Sequence, residues 1–486
     1  MAKQKSLKLN FVMNIILTMS TFIFPIITFP YVSRILMPEG MGRVTFATSL
    51  IAYFNMFAQL GIPTYGIRAC ARVRDDRTAL SGTVQEIFLL NLVMTVISYI
   101  ALAAALIAVP RLREDRILYL IVSLTIIFNT IGMEWLYKAL EQYTYITIRS
   151  IFFKLISVVA MFMLVHAQKD YVIYGGITIL AASASNIFNF MNAHRFVDFR
   201  LQSGLDLRRH LKPVLVFFGM SCATIIYLNL DSLMLGFMKT NVDVGYYNTA
   251  VKIKTILVSV VTSLGAVLLP RCSYYVENGM MDDFRRICRK ALNFVYILAL
   301  PLMVYFIMYA AQGIRFLSGP AYDPSVVPMQ IIMPTLLFIG FSNILGIQVL
   351  IPLGREKDVL ISEIAGAVVD LIINYLLIPK YASAGAAFGT TVAEAVVLAV
   401  QCKALWEEVP GLFGPIRYWK GIVAATVAAF ASFWVPQLGL GAFLTLAISG
   451  IVFFGIYSLM LLILREQLFK EMTGQTISLL RSRLRR

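Results

Sequence analysis

Apolar residues recur along the chain in fourteen runs separated by short polar intervals. In the first half they cover residues 11–32, 44–67, 83–109, 117–136, 151–165, 172–191 and 213–237. In the second they cover 245–269, 291–311, 326–351, 359–378, 385–405, 421–435 and 442–464. A helix rises about 1.5 Å per residue, so roughly 20 apolar residues cross the ~30 Å of hydrocarbon in a bilayer. The pattern predicts an all-α polytopic membrane protein of about 14 transmembrane helices, with no length left for a large domain outside the membrane. The run 151–165 is the shortest, and 245–269 carries two lysines, Lys252 and Lys254.

Composition agrees. Of 486 residues, 59% are hydrophobic and 14% charged, with a mean hydropathy of +0.78. Soluble domains average about 45–50% apolar and about 25% charged, so a soluble domain, a disordered chain and a secreted disulfide scaffold are all excluded. The net charge of +16, from 42 Lys and Arg against 26 Asp and Glu, would suggest nucleic acid in a soluble protein. In a membrane protein it reflects the accumulation of Lys and Arg in cytoplasmic loops, and no nucleic-acid partner is expected. With the amino terminus inside, about 31 of these residues fall on the cytoplasmic side and about 9 outside, which places both termini in the cytoplasm. One loop resists: residues 110–116 put Arg111, Arg113 and Arg116 outside. The first apolar run is too long for a cleavable signal and reads as a retained helix. The five cysteines have no metal-ligand or pairing pattern, and four of them fall at the cytoplasmic side, where thiols stay reduced. The basic tail 478–486 reads as an interfacial anchor.

A weak internal repeat is present. Gly42-Arg-Val-Thr-Phe-Ala47 opens the second run and Gly245-Tyr-Tyr-Asn-Thr-Ala250 the eighth, and both runs end near a Leu-Gly pair, Leu60-Gly61 and Leu264-Gly265. Gly175-Gly176 and Gly385-Ala386-Ala387 open the sixth and twelfth. The offset predicts two halves of six spans, parallel in topology, at residues 1–212 and 213–412. Residues 413–486 then supply two additional transmembrane helices and the basic tail. Transporter sites usually lie between such repeats.

No phosphate-binding Gly-Lys-Ser/Thr loop, histidine metal set or nucleophile motif occurs. The chain is expected not to be an enzyme and to need no cofactor or metal. The informative residues are ionisable groups inside spans, each costing about 2.5–3.5 kcal/mol on insertion scales. Asn229 and Asp231 in the seventh span accompany Lys252 and Lys254 in the eighth; they read as a cavity lining or as a buried ion pair that fixes packing. Arg34 and Arg43 flank the corresponding first hairpin, where arginine also snorkels to the interface. Glu363, Asp370, Asn374 and Glu394 mark the eleventh and twelfth spans. Glu363 and Asp370 share a helical face, with Asn374 one turn on, so this stripe should face protein or water. Arg149 and Lys154, with Glu134 and Glu141 before them, are placed at the cytoplasmic end of the fifth span. There they are either flanking positive charge or a landing site for an anionic headgroup. Pro25 and Pro30 are expected to interrupt the first span.

Several stretches together resemble a known family. They are Pro30-Tyr-Val-Ser-Arg-Ile-Leu-Met-Pro-Glu-Gly-Met-Gly42, Leu60-Gly-Ile-Pro-Thr-Tyr-Gly-Ile-Arg68 with Arg74-Asp-Asp76, and Trp135 with Glu141 and Tyr143. Asp231 through Gly236 with Gly245-Tyr246-Tyr247, Pro352-Leu-Gly-Arg-Glu-Lys357, and Pro379-Lys-Tyr-Ala-Ser-Ala-Gly-Ala-Ala387 with Thr390 and Glu394 complete the series. Over roughly residues 10–405 the chain resembles the Wzx oligosaccharide flippases, polysaccharide transporters of the multidrug/oligosaccharidyl-lipid/polysaccharide exporter superfamily. The resemblance implies two six-helix lobes in a V around a cationic cavity, working by alternating access. It implies a substrate, an oligosaccharide repeat unit on undecaprenyl diphosphate, flipped from the cytoplasmic to the outer leaflet of the bacterial plasma membrane for capsule or other surface polysaccharide. Membrane lipids, a polysaccharide polymerase and glycosyltransferases are the implied partners. Candidate substrate contacts are Arg34, Arg149, Lys154, Asn229, Asp231, Lys252, Lys254, Asp370 and Asn374; candidate ion-coupling residues are Asp231, Glu363, Asp370 and Glu394. Competing readings are a peptidoglycan-precursor flippase, a multidrug antiporter, which would favour an acidic or aromatic cavity, and a non-transporting scaffold of a polysaccharide assembly complex.

Overall fold

Backbone amides find no water in hydrocarbon, so a chain this apolar must satisfy them inside helices. The computed structural model describes residues 7–200, 205–263, 265–414 and 416–471, and contains no strand among the described residues. Nine helices there are long and apolar enough to cross a membrane. The pair Pro320–Ile332 and Thr335–Leu350, bent by 46°, passes the same test together. The chain is an all-α, multi-pass membrane protein. It divides into two compact units, Met1–Gly245 and Tyr246–Arg486. The tail 478–486 and Leu264 lie outside the described residues.

The first unit begins with α1, Leu7–Gln59, of 53 residues. At about 1.5 Å per residue a straight helix of that length would far exceed one bilayer. It is two helices joined at Met37, whose φ of 58° and ψ of 174° are non-helical. Pro38 sets the place, because a proline ring excludes the preceding residue from the α region. Pro25 and Pro30, expected to interrupt the first span, lie instead within helix. There follow α2 (Ile62–Arg72), α3 (Arg77–Ala108), α4 (Pro110–Arg113), α5 (Arg116–Gly132), α6 (Glu134–Ala139), α7 (Tyr143–Leu164), α8 (Tyr171–Ile179), α9 (Asn186–Ala193) and α10 (Arg208–Met238).

Polar contacts set the directions of these helices. Thr147 donates to the Met13 carbonyl, Lys154 to Ser20, and Tyr31 to the Val165 carbonyl, each across 134 residues. Residues 7–36 therefore run parallel to α7. Residues 38–59 run parallel to α5, through Arg43–Asp115 at 2.8 Å, Asn55–Asn129 at 3.3 Å and Gln59–Thr130 at 3.1 Å. The span made of α8, the π-helical turn Leu180–Ala184 and α9 is parallel to α5, through Tyr171–Asp115 and Asn186–Asn129. It is antiparallel to α7, through Arg149–Asn186 and Tyr145–Phe188. The two arms of α1 therefore oppose each other, and the chain reverses at Met37.

Two sequence puzzles resolve in this unit. Arg111 donates to the Gly236 carbonyl at 3.2 Å and to Asn241 at 2.9 Å, and Arg113 to the Ile107 carbonyl at 3.0 Å. These guanidinium groups cap the carbonyl ends of α10 and α3, where the helix dipole favours positive charge. Two of the three arginines of that loop thus have carbonyl partners. The repeated glycines mark a crossing: a Cβ on Gly42 would collide with the Asn241 carbonyl, and one on Gly245 with the Pro38 carbonyl. The same offset of 203 residues relates Pro38 to Asn241 and Gly42 to Gly245, so the contact has local two-fold character.

The remaining helices are α11 (Asn241–Thr262), α12 (Gly265–Glu277), α13 (Met281–Met308), α14 (Ala310–Ser318), α15 (Val326–Ile332), α16 (Thr335–Asn343), α17 (Glu356–Ala404), α18 (Val409–Phe413), α19 (Tyr418–Ser432) and α20 (Ala442–Ile463). The 49-residue α17 is again two arms, joined at Ala382 (φ 47°, ψ −124°). Gln401 bonds Ser362 at 3.1 Å, and Gly389 lies against Asn374. Twelve residues forward on one arm match twelve back on the other, so the arms are antiparallel. Tyrosines stitch α19 and α20 onto α13. Tyr296 donates to the Tyr418 carbonyl at 2.6 Å, Tyr309 to Ser432 at 2.7 Å, Tyr305 to Leu446 at 2.8 Å, and Tyr457 to Ile297 at 3.0 Å. The last two spans thus pack on the core of the second unit.

Candidate functional site

Helix α7 begins at Tyr143, eight residues ahead of the apolar run, because a hydropathy window discounts its polar first turns. Arg149 and Lys154 are therefore inside the helix rather than at its edge, and they face inward, 8% and 9% exposed. Arg149 Nη2 donates to Asn186 Oδ1 at 3.1 Å, with its guanidinium 5.9 Å from the Tyr145 ring centroid. Lys154 Nζ donates to Ser20 Oγ at 2.7 Å and lies 6.0 Å from the Phe24 ring centroid. Neither forms an ion pair among the described residues. The carboxylates expected beside them are engaged elsewhere, Glu134 with Lys138 at 2.8 Å and Glu141 with Arg74 at 3.0 Å. Asn186 lies two residues beyond the π-helical turn Leu180–Ala184, after Ser185. Such turns recur at functional sites because the extra residue re-aims the helix beyond it.

In the second unit Asp370, Asn374 and Glu394 are buried. Gly389 makes this possible: a Cβ there would stand 3.0 Å from Asp370 Oδ1 and collide with Asn374 Oδ1. The arms of α17 thus close until one backbone touches the other arm's polar side chains. Thr390, the next residue, meets the Tyr247 hydroxyl at 2.8 Å. Glu363 lies two turns before Asp370 and is half-buried. Lys252 and Lys254 are half-buried on α11 of the same unit. In the first unit Asp231 is buried on α10, Asn229 is half-buried and donates to its own helix at the Ile225 carbonyl (3.0 Å), and Arg34 on α1 is exposed.

Of the other polar networks, only Arg43 had a sequence signal. Glu86 on α3 is 4% exposed and accepts from the Asp206 amide at 2.8 Å, from Arg209, and from His210 Nε2 at 2.7 Å. The other ring nitrogen of His210 meets the Tyr65 hydroxyl at 2.7 Å. Arg43 pairs with Glu39 and Asp115, both at 2.8 Å, and Asp115 also accepts from Tyr171. Most of these partners are 56 to 145 residues apart, beyond any local pattern. The small polar run before Asn186, Ser183-Ala-Ser185, was the one usable hint of a break in that span.

A "MatE" family model matches residues 217–376. Two curated relatives named "Putative O-antigen transporter" align over most of their length. That of Escherichia coli (strain K12) is 24% identical over 81% of this chain and 95% of its own, and that of Shigella dysenteriae 23% identical over 82% and 100%. Among solved structures, the lipid II flippase MurJ in an inward closed conformation superposes with a TM-score of 0.72 over 94% of this chain and 100% of its own, at 14% identity; the likeness is one of fold. A "Polysaccharide biosynthesis protein" family model matches residues 7–276, more than half of the chain. Carrying this family's sequence pattern on a multi-pass helical fold, the chain belongs to the polysaccharide biosynthesis protein family.

Proposed function

We propose that this protein is a flippase that moves oligosaccharide repeat units on undecaprenyl diphosphate from the cytoplasmic to the outer leaflet of a bacterial plasma membrane. It does so by alternating access between two six-helix lobes, residues 1–212 and 213–412, with 413–486 as additional helices, both termini in the cytoplasm, and capsule or other surface polysaccharide as the end product. The observation that carries the reading is Arg149 with Lys154, two cations nine-tenths buried in a membrane protein of this family and bonded to the neutral acceptors Asn186 and Ser20. Retaining such cations in hydrocarbon costs stability. A diphosphate that meets them in charge-assisted hydrogen bonds gives that cost a purpose.

The physics of the task fits. Each unpartnered sugar hydroxyl costs about 2–7 kcal/mol in hydrocarbon, so a repeat unit needs a polar path while its lipid tail stays in the bilayer. An anion leaving an inside-negative cell gains about 2.3 kcal/mol per charge per 100 mV. On this reading Arg34, Lys252, Lys254, Asn229, Asp231, Asp370 and Asn374 join Arg149 and Lys154 as substrate contacts. Asp231, Glu363, Asp370 and Glu394 are the groups available to couple an ion. Glycosyltransferases that build the repeat unit act before it, and a polymerase acts after. The test is reconstitution: vesicles containing the purified chain and labelled undecaprenyl-diphosphate oligosaccharide should expose the label to an impermeant outside probe. Exposure no faster than in protein-free vesicles would assign the chain a scaffold role.

A further inference from the structure

We propose that Asn55, on the second arm of α1, is a further substrate contact and serves as a donor. A relay of side-chain amides that starts at Arg149 holds its NH2 group outward. Arg149 Nη2 donates to Asn186 Oδ1 at 3.1 Å, Asn186 Nδ2 to Asn129 Oδ1 at 3.4 Å, and Asn129 Nδ2 to Asn55 Oδ1 at 3.3 Å. Gly132 lets α5 and α9 come this close, since a Cβ there would collide with the Asn186 amide.

A carboxamide by itself has no fixed sense: its oxygen accepts, its nitrogen donates, and a half-turn exchanges them. A guanidinium carries donors only. Arg149 therefore obliges Asn186 to present oxygen, which turns the Asn186 nitrogen to Asn129 and in turn sets Asn129 and Asn55. Reversing any one amide would set N–H against N–H, and each bond polarises the next. The last nitrogen, Asn55 Nδ2, meets no partner among the described residues. Polar groups beside it are already paired: Gln59 with Thr130 at 3.1 Å, Thr130 with Thr95 at 2.7 Å, and Asn91 with the Ala58 carbonyl at 2.8 Å. Arg149 and Asn186 are buried, whereas Asn129 and Asn55 are half-buried, so the relay runs from a sealed end to an open one. Asn55 falls at the centre of the apolar run 44–67, the depth at which transporter sites lie. A donor open there is served by water or by an oxygen-rich ligand rather than by hydrocarbon. A sugar–diphosphate head offers such oxygens in number. For that ligand the inference rests on the flippase reading.

Equilibrium binding of labelled undecaprenyl-diphosphate oligosaccharide to the purified full-length protein tests it, with vesicle flipping run in parallel. Asn55→Leu removes the donor without adding charge and should weaken binding about 3- to 10-fold. Asn55→Gln keeps the donor and should stay within about twofold of wild type. The readout that a packing role would not move is coupling to Arg149. In Arg149→Lys, still donor-only, the Asn55→Leu loss should persist; in Arg149→Met the amides are free to turn, and the loss should fall below about twofold. The Leu and Gln variants of Asn55 decide by themselves should Arg149→Met not fold. A loss confined to sugar-bearing lipid assigns the acceptor to a sugar oxygen, and an equal loss with undecaprenyl diphosphate alone assigns it to a phosphoryl oxygen. Wild-type affinity in Asn55→Leu overturns the inference, as does a loss of the same size in both Arg149 backgrounds. Wild-type protein that binds the lipid but exposes none of it in vesicles defeats the flippase reading alone, and wild-type protein that binds none ends both.

Discussion

Lys154→Met separates a functional buried cation from a structural one. The side chain is 9% exposed, and its ammonium donates to Ser20 Oγ at 2.7 Å. Ser20 already donates its own proton to the Leu17 carbonyl at 2.6 Å. Removing the lysine therefore strands no donor. Methionine fills nearly the same volume without a charge, and replacing buried ionic groups by apolar ones of similar size is often neutral or stabilising by about 1–4 kcal/mol. Lys154→Met should consequently unfold at the wild-type midpoint or above it. Losing one charge-assisted hydrogen bond to a diphosphate costs about 1.5–3 kcal/mol, which corresponds to about a 10- to 150-fold loss in substrate affinity. The assay pairs thermal unfolding of the purified protein with initial rates of label exposure in vesicles at sub-saturating substrate. A variant destabilised by more than about 1 kcal/mol, with flipping lost only in proportion to folded protein, would show the lysine to be a packing element. Wild-type flipping in a stable variant would remove it from the substrate path.

Other perturbations report on the scaffold. Tyr305→Phe with Tyr309→Phe deletes hydroxyl bonds from the last turn of α13 and the residue that caps it to the Leu446 and Ser432 carbonyls. At about 1 kcal/mol each, the pair should lower the unfolding midpoint while leaving flipping per folded molecule unchanged. Gly389→Leu drives a side chain into Asn374 and Asp370; overpacking of this kind costs about 1–3 kcal/mol or more, and membrane-inserted protein should fall sharply in quantitative blots, with Gly389→Ala intermediate. Glu86→Gln turns a donor toward His210 and Arg209 and should destabilise by about 1–3 kcal/mol, read as a lower midpoint. Glu86→Asp should recover part of that loss.

What the sequence determined by itself is whatever depends on transfer energy summed over a short window. Twenty apolar residues in a row must cross a bilayer, and nothing distant changes that. Hence the all-α multi-pass class, the placement of most spans and the family likeness were legible before any coordinates. Pro38 and the paired glycines were visible too, though not what they do. The tertiary structure alone decided which way each polar residue faces and what it meets. Arg149 looked like flanking charge because the window could not see that α7 starts at Tyr143, and its partner Asn186 arrives from another helix. Arg111 looked like an exception to the charge rule until the carbonyl end of α10 came to it across 125 residues. Rotation about a helix axis hardly alters hydropathy, but it decides whether a charge meets lipid, a carbonyl or another charge, and only the packing of helices distant in sequence sets it.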